Sequence, residues 1–210
     1  MKKELVAITF LSLMISVFLT ACGEENSWQR VDLSVDPELP FHVHRDLPRF
    51  VGSTLSPDQI EDLQLRMVDL KFRHSGSNRS TYQIMVTYHD RDLGFDYVFM
   101  GAVDFAPQGG SVGQSLGQRH IRDYDQPVEY MVHQMINTVT PRNTKIHYVA
   151  VWTNSSEVAE LHLKANNQSF EVEGEDMIVL RWESPRERGI EHLELTAMDE
   201  EGKVIWQDEL

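Results

Sequence analysis

The chain has 210 residues, of which 41% are hydrophobic and 25% are charged, and its formal net charge is −14 at pH 7. Such an acidic chain repels nucleic acid and anionic membrane surfaces, so we expect no nucleic-acid partner, whereas a cationic or basic protein partner is allowed. A chain of this length can bury roughly 70% of its unfolded surface, so a stable core needs no disulfide. One cysteine in the whole chain agrees with this.

The first residues have the pattern of a targeting segment. Lys2 and Lys3 give a positive start, residues 5–18 form an almost unbroken apolar run, and small residues then precede a cysteine. The apolar run is short for a transmembrane helix, which needs roughly 20 residues. The pattern therefore predicts a signal segment that is removed from the mature protein.

The tetrapeptide Leu19-Thr20-Ala21-Cys22 resembles the lipobox of bacterial lipoprotein signal peptides. The resemblance implies cleavage before Cys22 and attachment of a diacylglycerol, with palmitate-type chains, to its thiol. Ordinary secretory cleavage also follows small residues, but it would leave a free thiol in an oxidising compartment. We therefore expect a protein held by the lipid on Cys22 at the outer, extracytoplasmic face of the cell membrane.

An irregular arm is predicted after the lipid attachment site. Residues 23–27 form a short polar tether, and residues 28–50 mix isolated apolar residues with three prolines, with one edge strand expected at 28–35. His42 and His44 would lie on one side of an extended segment and could hold zinc with a third, distant ligand. Two histidines in a polar arm are more often simply exposed, so this metal site is an alternative and not our assignment.

The next segment, 51–140, is predicted to be a β meander with a helix. Ser56-Pro57-Asp58-Gln59 is typical of a helix start, and alternating apolar residues follow it. We expect a short helical turn near 57–62 that leads into a strand ending near His74, then strands at 82–88 and 95–105. Apolar residues at helical spacing predict a second helix over 128–139.

Residues 106–126 are glycine-rich and polar, which predicts a long functional or mobile loop. Within it, Gly113-Gln114-Ser115-Leu116-Gly117 fits the nucleophile-elbow pattern of serine hydrolases. The chain also contains possible triad partners downstream, namely Asp123, Asp125, His147, His162 and His192. An elbow needs a buried strand before it and a helix after it, and the flanking residues are polar, so a hydrolase centred on Ser115 is the least favoured alternative.

The final segment, 141–210, has short strands and turns at the spacing of a small β-sandwich. The predicted strands are 146–153, 158–164, 169–173, 177–183, 190–198 and 203–207. Their inward sets are Leu161/Leu163, Phe170/Val172, Ile178/Leu180/Trp182 and Leu193/Leu195/Ala197, with Arg181 on the outer face. Residues 158–161 and the hairpin 198–205 resemble a small β module at the C-terminal end of many Gram-positive lipoproteins, which implies no shared chemistry.

The sequence thus predicts a mainly β protein: a signal peptide at 1–21, a lipidated tether and arm at 22–50, an antiparallel meander with one or two short helices at 51–140, and a sandwich-like module at 141–210. The function we expect is that of a lipid-anchored, non-catalytic binding or interaction protein. One alternative is a metal or small-ligand binder that uses the His42/His44 arm or the 106–126 loop. We assign no catalytic residue, no metal ligand and no cofactor, and Cys22 is the one site residue.

Overall fold

The computed structural model describes residues 27–31, 33, 57–73, 80–105, 116–137, 144–173, 177–185 and 187–210. Within these ranges the chain forms twelve strands in three antiparallel sheets and one 3-10 turn, which confirms the mainly β fold. No helix in these ranges is long and apolar enough to cross a membrane. Cys22, the arm residues His42 and His44, and Ser115 lie outside the described residues.

The first sheet, which we call the meander sheet, has the strand order β2-β3-β4-β5. Its strands are β2 (Ile60–Arg73), β3 (Ser80–Asp90), β4 (Phe95–Phe105) and β5 (Leu116–Ile121). The 3-10 turn Pro57–Gln59 leads directly into β2, so the predicted turn followed by a strand is confirmed. At the β3–β4 turn, Oδ1 of Asp90 accepts the backbone N–H groups of Asp92 and Leu93, at 3.0 and 3.1 Å.

Strand β5 corrects the prediction that residues 106–126 form one loop. Three of its six residues are polar and four are exposed, so the apolar alternation that reveals a strand is weak. Gly117 is opposite Gly101 of β4, and a Cβ atom at Gly117 would meet the ring of Phe99 at 2.5 Å. This glycine therefore makes room for an aromatic ring inside a strand, instead of forming the sharp turn after a nucleophile.

The second sheet, which we call the central sheet, has the order β1-β10-β7-β6. Its strands are β1 (Gln29–Arg30), β10 (Met177–Pro185), β7 (Thr144–Thr153) and β6 (Val128–Asn137). The helix predicted over 128–139 is wrong, because Val128–Asn137 is a strand that pairs with β7 along its whole length. Both faces of β6 carry buried apolar residues, Val128 on one and Met131 on the other, and this imitates helical spacing.

The third sheet, which we call the C-terminal sheet, has the order β12-β11-β8-β9. Its strands are β12 (Val204–Glu209), β11 (Leu193–Met198), β8 (Glu160–Ala165) and β9 (Gln168–Glu173). The predicted strands of the last segment are all present within a few residues of the expected bounds.

The central sheet is packed between the other two sheets, so the molecule has three layers. One cluster joins it to the C-terminal sheet and contains the predicted inward residues of β8, β10 and β11. A second cluster joins it to the meander sheet, with Met85 and Met100 on one side and Trp152 and Val179 on the other. Both faces of the central sheet are therefore buried, and its strands carry apolar residues on both sides.

Candidate binding site

A cavity of about 320 Å³ lies where the central and C-terminal sheets end together. Its walls come from Trp28 just before β1, the β8–β9 turn at 165–168, Trp182 near the end of β10, and Arg188, Glu191 and His192 before β11. We call it the tryptophan cavity. Sites for small molecules typically have volumes of about 300–1,000 Å³, so the space is sufficient for a small ligand.

Two tryptophans form the apolar wall of the tryptophan cavity. Trp28 and Trp182 are each 5% exposed, and their ring centroids are 5.5 Å apart with a tilt of 33°. Trp182 also stacks on His147 of β7, with centroids 4.9 Å apart. Strands β1 and β7 pair with opposite edges of β10, so Trp28 and His147 flank Trp182 from opposite sides. Trp28 and His147 thus cover the two faces of the Trp182 ring, and the indole N–H lies at its edge.

The indole nitrogens of these two tryptophans are buried donors without a partner. Nε1 of Trp28 and Nε1 of Trp182 make no hydrogen bond to any part of the chain that the structure describes. A buried donor without a partner costs about 1–3 kcal/mol. Both nitrogen atoms are inaccessible to water, so they lie behind the surface of the cavity.

The polar side chains of the β8–β9 turn also present donors. Oε1 of Gln168 accepts the backbone N–H of Trp28 at 2.5 Å, and Oδ1 of Asn166 accepts the backbone N–H of Glu191 at 3.0 Å. These bonds use the amide oxygens and leave both NH₂ groups without a partner among the described residues. Asn166 adopts φ of +53°, a left-handed conformation that asparagine tolerates better than most residues, and this closes the turn.

Charged groups stand at the rim of the tryptophan cavity and not inside it. Arg188 and Glu191 are both exposed, and neither makes an ion pair with the described residues. His192 lies 3.5 Å from a carboxylate oxygen of Glu194 and 3.3 Å from one of Glu209. The buried part of the cavity wall is therefore uncharged.

His147, one of the predicted triad histidines, is buried against a serine other than Ser115. Its Nε2 lies 3.0 Å from Oγ of Ser184, and the two residues are 0% and 1% exposed. Oγ of Ser184 is in turn 3.2 Å from the carbonyl oxygens of Pro185 and Arg188. Burial, and then the nearby charge of Lys145, lowers the pKa of His147 to about 4. The hydrogen bonds of Ser184 hold the turn after β10. Since both side chains are buried, no substrate can reach this pair.

The other predicted triad residues are used locally. Nε2 of His162 lies 2.8 Å from Oε1 of Glu160 on the same strand. Oδ1 of Asp123 accepts the backbone N–H of Asp125 at 3.1 Å, which is the bond of an Asx turn. His147, His162 and His192 belong to β7, β8 and the segment before β11, and only His192 among them lines the tryptophan cavity.

A buried carboxylate that sequence reasoning missed is Glu129 of β6, which is 6% exposed. Its Oε1 accepts Nε2 of His120 at 2.8 Å and the backbone N–H of Asp123 at 2.9 Å. Its Oε2 accepts Nε1 of Trp152 at 2.8 Å and Nδ2 of Asn154 at 2.7 Å. Burial alone would raise the pKa of Glu129, but these bonds outweigh it and lower the pKa. Both oxygens are occupied, so this carboxylate anchors the turn before β6.

Among the described residues, no group of three or more histidine, cysteine, aspartate or glutamate side chains is arranged to hold a metal ion. A scan against protein-family models, a search of curated proteins and a search of solved structures each found no match to this chain.

Proposed function

We propose that this protein is a lipid-anchored, extracytoplasmic binding protein that takes a small ligand in the tryptophan cavity without catalysing a reaction. The observation that carries the binding role is the cavity of about 320 Å³, which is lined by Trp28, Trp182 and the polar side chains of the β8–β9 turn. The anchor rests on the lipobox pattern that ends at Cys22. The buried histidine and carboxylate, His147 and Glu129, have structural partners, which favours a role without catalysis.

The anchor would hold the tryptophan cavity near the membrane. Cys22 precedes Trp28 by six residues. A fully extended segment of this length spans at most about 20 Å. The end of the three-sheet stack that carries the cavity would therefore face the lipid surface, and a ligand would be captured close to the bilayer.

The anchor is tested with Cys22→Ala. We expect this variant to stay uncleaved and unlabelled by a radioactive or clickable fatty acid. Two acyl chains give a stable hold, whereas one gives an affinity of only about 10⁴ M⁻¹. Ser27→Ala is the matched control, because it changes the tether and keeps the thiol. Normal processing and labelling of Cys22→Ala would refute the anchor.

The binding role is tested by a thermal-shift screen of small polar molecules of both charges and of none. We expect a subset to raise the melting temperature of the wild-type protein in proportion to occupancy. The metal-binding alternative through His42 and His44 and the hydrolase alternative centred on Ser115 stay hypotheses, since those residues lie outside the described ranges.

A further inference from the structure

We infer that the free edge of strand β6 binds an extended, uncharged segment of a partner protein, which adds to the central sheet as a further strand. Strand β6 is last in the order β1-β10-β7-β6, so one of its edges pairs with β7 and the other pairs with no described strand. None of its residues lines the tryptophan cavity, so the inference goes beyond the proposed function.

The pairing of β6 with β7 identifies the backbone groups that point away from the sheet. The backbone N–H of Asn154 donates to the carbonyl oxygen of Pro127 at 2.9 Å, and Val128 is opposite Thr153. Alternate residues of an antiparallel pair exchange hydrogen bonds with the partner strand, so the odd-numbered residues of β6 bond to β7. The even-numbered residues direct their N–H and C=O groups outward, and no described backbone group bonds to them. Val128 is 1% exposed, and the outward residues beyond it are Tyr130, Val132, Gln134 and Ile136.

Strand β6 lacks the features that protect the other described edge strands. Natural sheets prevent unwanted pairing by short edge strands, bulges or charged side chains. Strand β1 has two residues, and the pairing of β2 shifts register at three positions. Strands β5, β9 and β12 have six residues each and carry an arginine or acidic side chains. Strand β6 has ten residues, pairs without a register shift and contains no lysine, arginine or proline.

The open edge of β6 matches the main chain of another protein. Each outward residue presents one N–H donor and one C=O acceptor, and these repeat at every second residue. An extended segment repeats its own donors and acceptors at the same interval, which is how peptides add to the edge of a sheet. Main-chain bonds would therefore supply the affinity.

The side chains along this edge favour an uncharged segment. None of the four outward residues is charged, although the chain as a whole carries −14. Ile136 is 46% exposed, and an apolar side chain of the incoming strand would cover it. A charged side chain in that place would lose water beside an apolar neighbour, which costs free energy.

A second copy of this chain is a less suitable occupant of the edge. Two chains that each carry −14 repel one another. An antiparallel pair of β6 strands would also direct the two N-terminal tethers to opposite ends, so both copies could not be anchored in one membrane. The segment is therefore assigned to another protein.

The binding is tested on the full lipidated protein in detergent. The probe is a capped, dye-labelled peptide of about seven residues that alternates threonine and valine, a usual length for a strand. Fluorescence anisotropy is followed up to about 1 mM peptide, which detects affinities of about 100 μM. We expect saturable binding, and binding weaker by about tenfold or more when lysine or glutamate replaces the valines. An analogue that is N-methylated along its backbone keeps the side chains and lacks the donors, so it should not bind.

A matched pair of proline variants connects the binding to β6. Gln134→Pro removes one outward N–H and leaves the bonds to β7 in place, as an edge strand allows, and we expect binding to weaken about tenfold. Gln207→Pro is the control on the edge strand β12. The N–H of Leu210 donates to the carbonyl oxygen of Leu193 at 2.8 Å, so Gln207 also directs its N–H outward. Gln207→Pro should bind the peptide like wild type.

A second pair keeps the test valid if Gln134→Pro fails to fold. Ile136→Lys places a charge on the edge of β6 at a position that is 46% exposed, and it should weaken binding about 5- to 10-fold. Val204→Lys makes a similar change at a position of β12 that is 49% exposed, and it should leave binding unchanged. Hydrogen exchange with bound peptide should show added protection at the outward amides of β6.

Four outcomes would overturn the inference. Absence of saturable binding by the neutral peptide refutes the docking edge, and equal losses in Ile136→Lys and Val204→Lys show that the peptide binds elsewhere. Tighter binding of either charged peptide shows that the class of segment is wrong. A dimer in sedimentation that Gln134→Pro dissociates shows that the edge serves a second copy. The thermal-shift screen reports on the tryptophan cavity separately, so the proposed function stands or falls by itself.

Discussion

At the scale of single residues, the polar side chains that the fold buries divide into two kinds. Glu129 has all its hydrogen-bond partners and stays ionised, because four donors surround it. The indoles of Trp28 and Trp182 have none for their N–H groups. A buried group with full partners stabilises the fold, whereas one with an open donor costs free energy. Buried Gln83 also has both polar atoms of its amide without a partner, so this cost is not confined to the cavity.

His147 makes stability depend on pH in a definite window. Its pKa is about 4 in the folded chain against 6.5 ordinarily, since it is buried and lies near Lys145. Below pH 6.5 the unfolded chain therefore binds more protons, and stability falls until the pH reaches about 4. The loss amounts to about 3 kcal/mol. The lowered pKa of Glu129 acts below its ordinary value of 4.5, so its loss of stability comes at lower pH.

This pH dependence is checked by urea unfolding at several pH values between 7 and 4.5. His147→Phe keeps a ring to stack on Trp182, and we expect its stability to change much less across this range. Val204→Ala, at an exposed position of β12 that carries no titratable group, should keep the wild-type slope. A wild-type slope in His147→Phe would show that another group titrates.

At the scale of elements, β10 differs from the strand of a two-layer sandwich because other sheets cover both of its faces. Ile178, Leu180 and Trp182 are buried toward the C-terminal sheet, as predicted. Arg181 was expected on an outer face, but the meander sheet covers it. Its Nε lies 3.2 Å from Oδ2 of Asp69, an oxygen that also accepts the hydroxyl of Tyr148 at 2.8 Å.

Both faces of β10 should therefore be sensitive to substitution. We expect Trp182→Ala to cost about 3–5 kcal/mol of unfolding free energy, as large core truncations do. Arg181→Ala should cost about 1–3 kcal/mol, because it leaves Asp69 beside buried Tyr148 without its cation. Lys203→Ala, at an exposed turn, is the control and should change stability by less than about 0.5 kcal/mol. Equal stability of Arg181→Ala and Lys203→Ala in urea unfolding would contradict this placement.

The sequence predicts most strands because apolar and polar residues alternate along a strand wherever one face of its sheet is more apolar than the other. It fails at β6, where both faces are buried between sheets and the pattern satisfies helical spacing. It fails again at β5, whose polar residues occupy an edge. The tryptophan cavity could not be foreseen, since Trp28 and Gln168 are 140 positions apart and meet only through the pairing of β1 with β10.

At the scale of the whole molecule, the central sheet joins the early and late parts of the chain. The boundary predicted between 140 and 141 falls between β6 and β7, which pair along their whole length. Residues of β1, from the segment predicted as an arm, pair with β10. If either outer sheet unfolded or separated from the central sheet, one apolar face of the central sheet would be exposed to water. We therefore expect the three sheets to unfold together.

This cooperativity gives the last prediction. Met85→Ala truncates the cluster between the meander and central sheets, and Leu195→Ala truncates the cluster between the central and C-terminal sheets. Each residue is at most 1% exposed, so each change should cost about 2–5 kcal/mol. Both variants should lower the midpoint of one shared calorimetric transition, whose van't Hoff and calorimetric enthalpies agree. Val204→Ala, at an exposed position of β12, should leave that midpoint unchanged. If Leu195→Ala instead split the transition and left its upper part in place, the C-terminal sheet would be an independent folding unit.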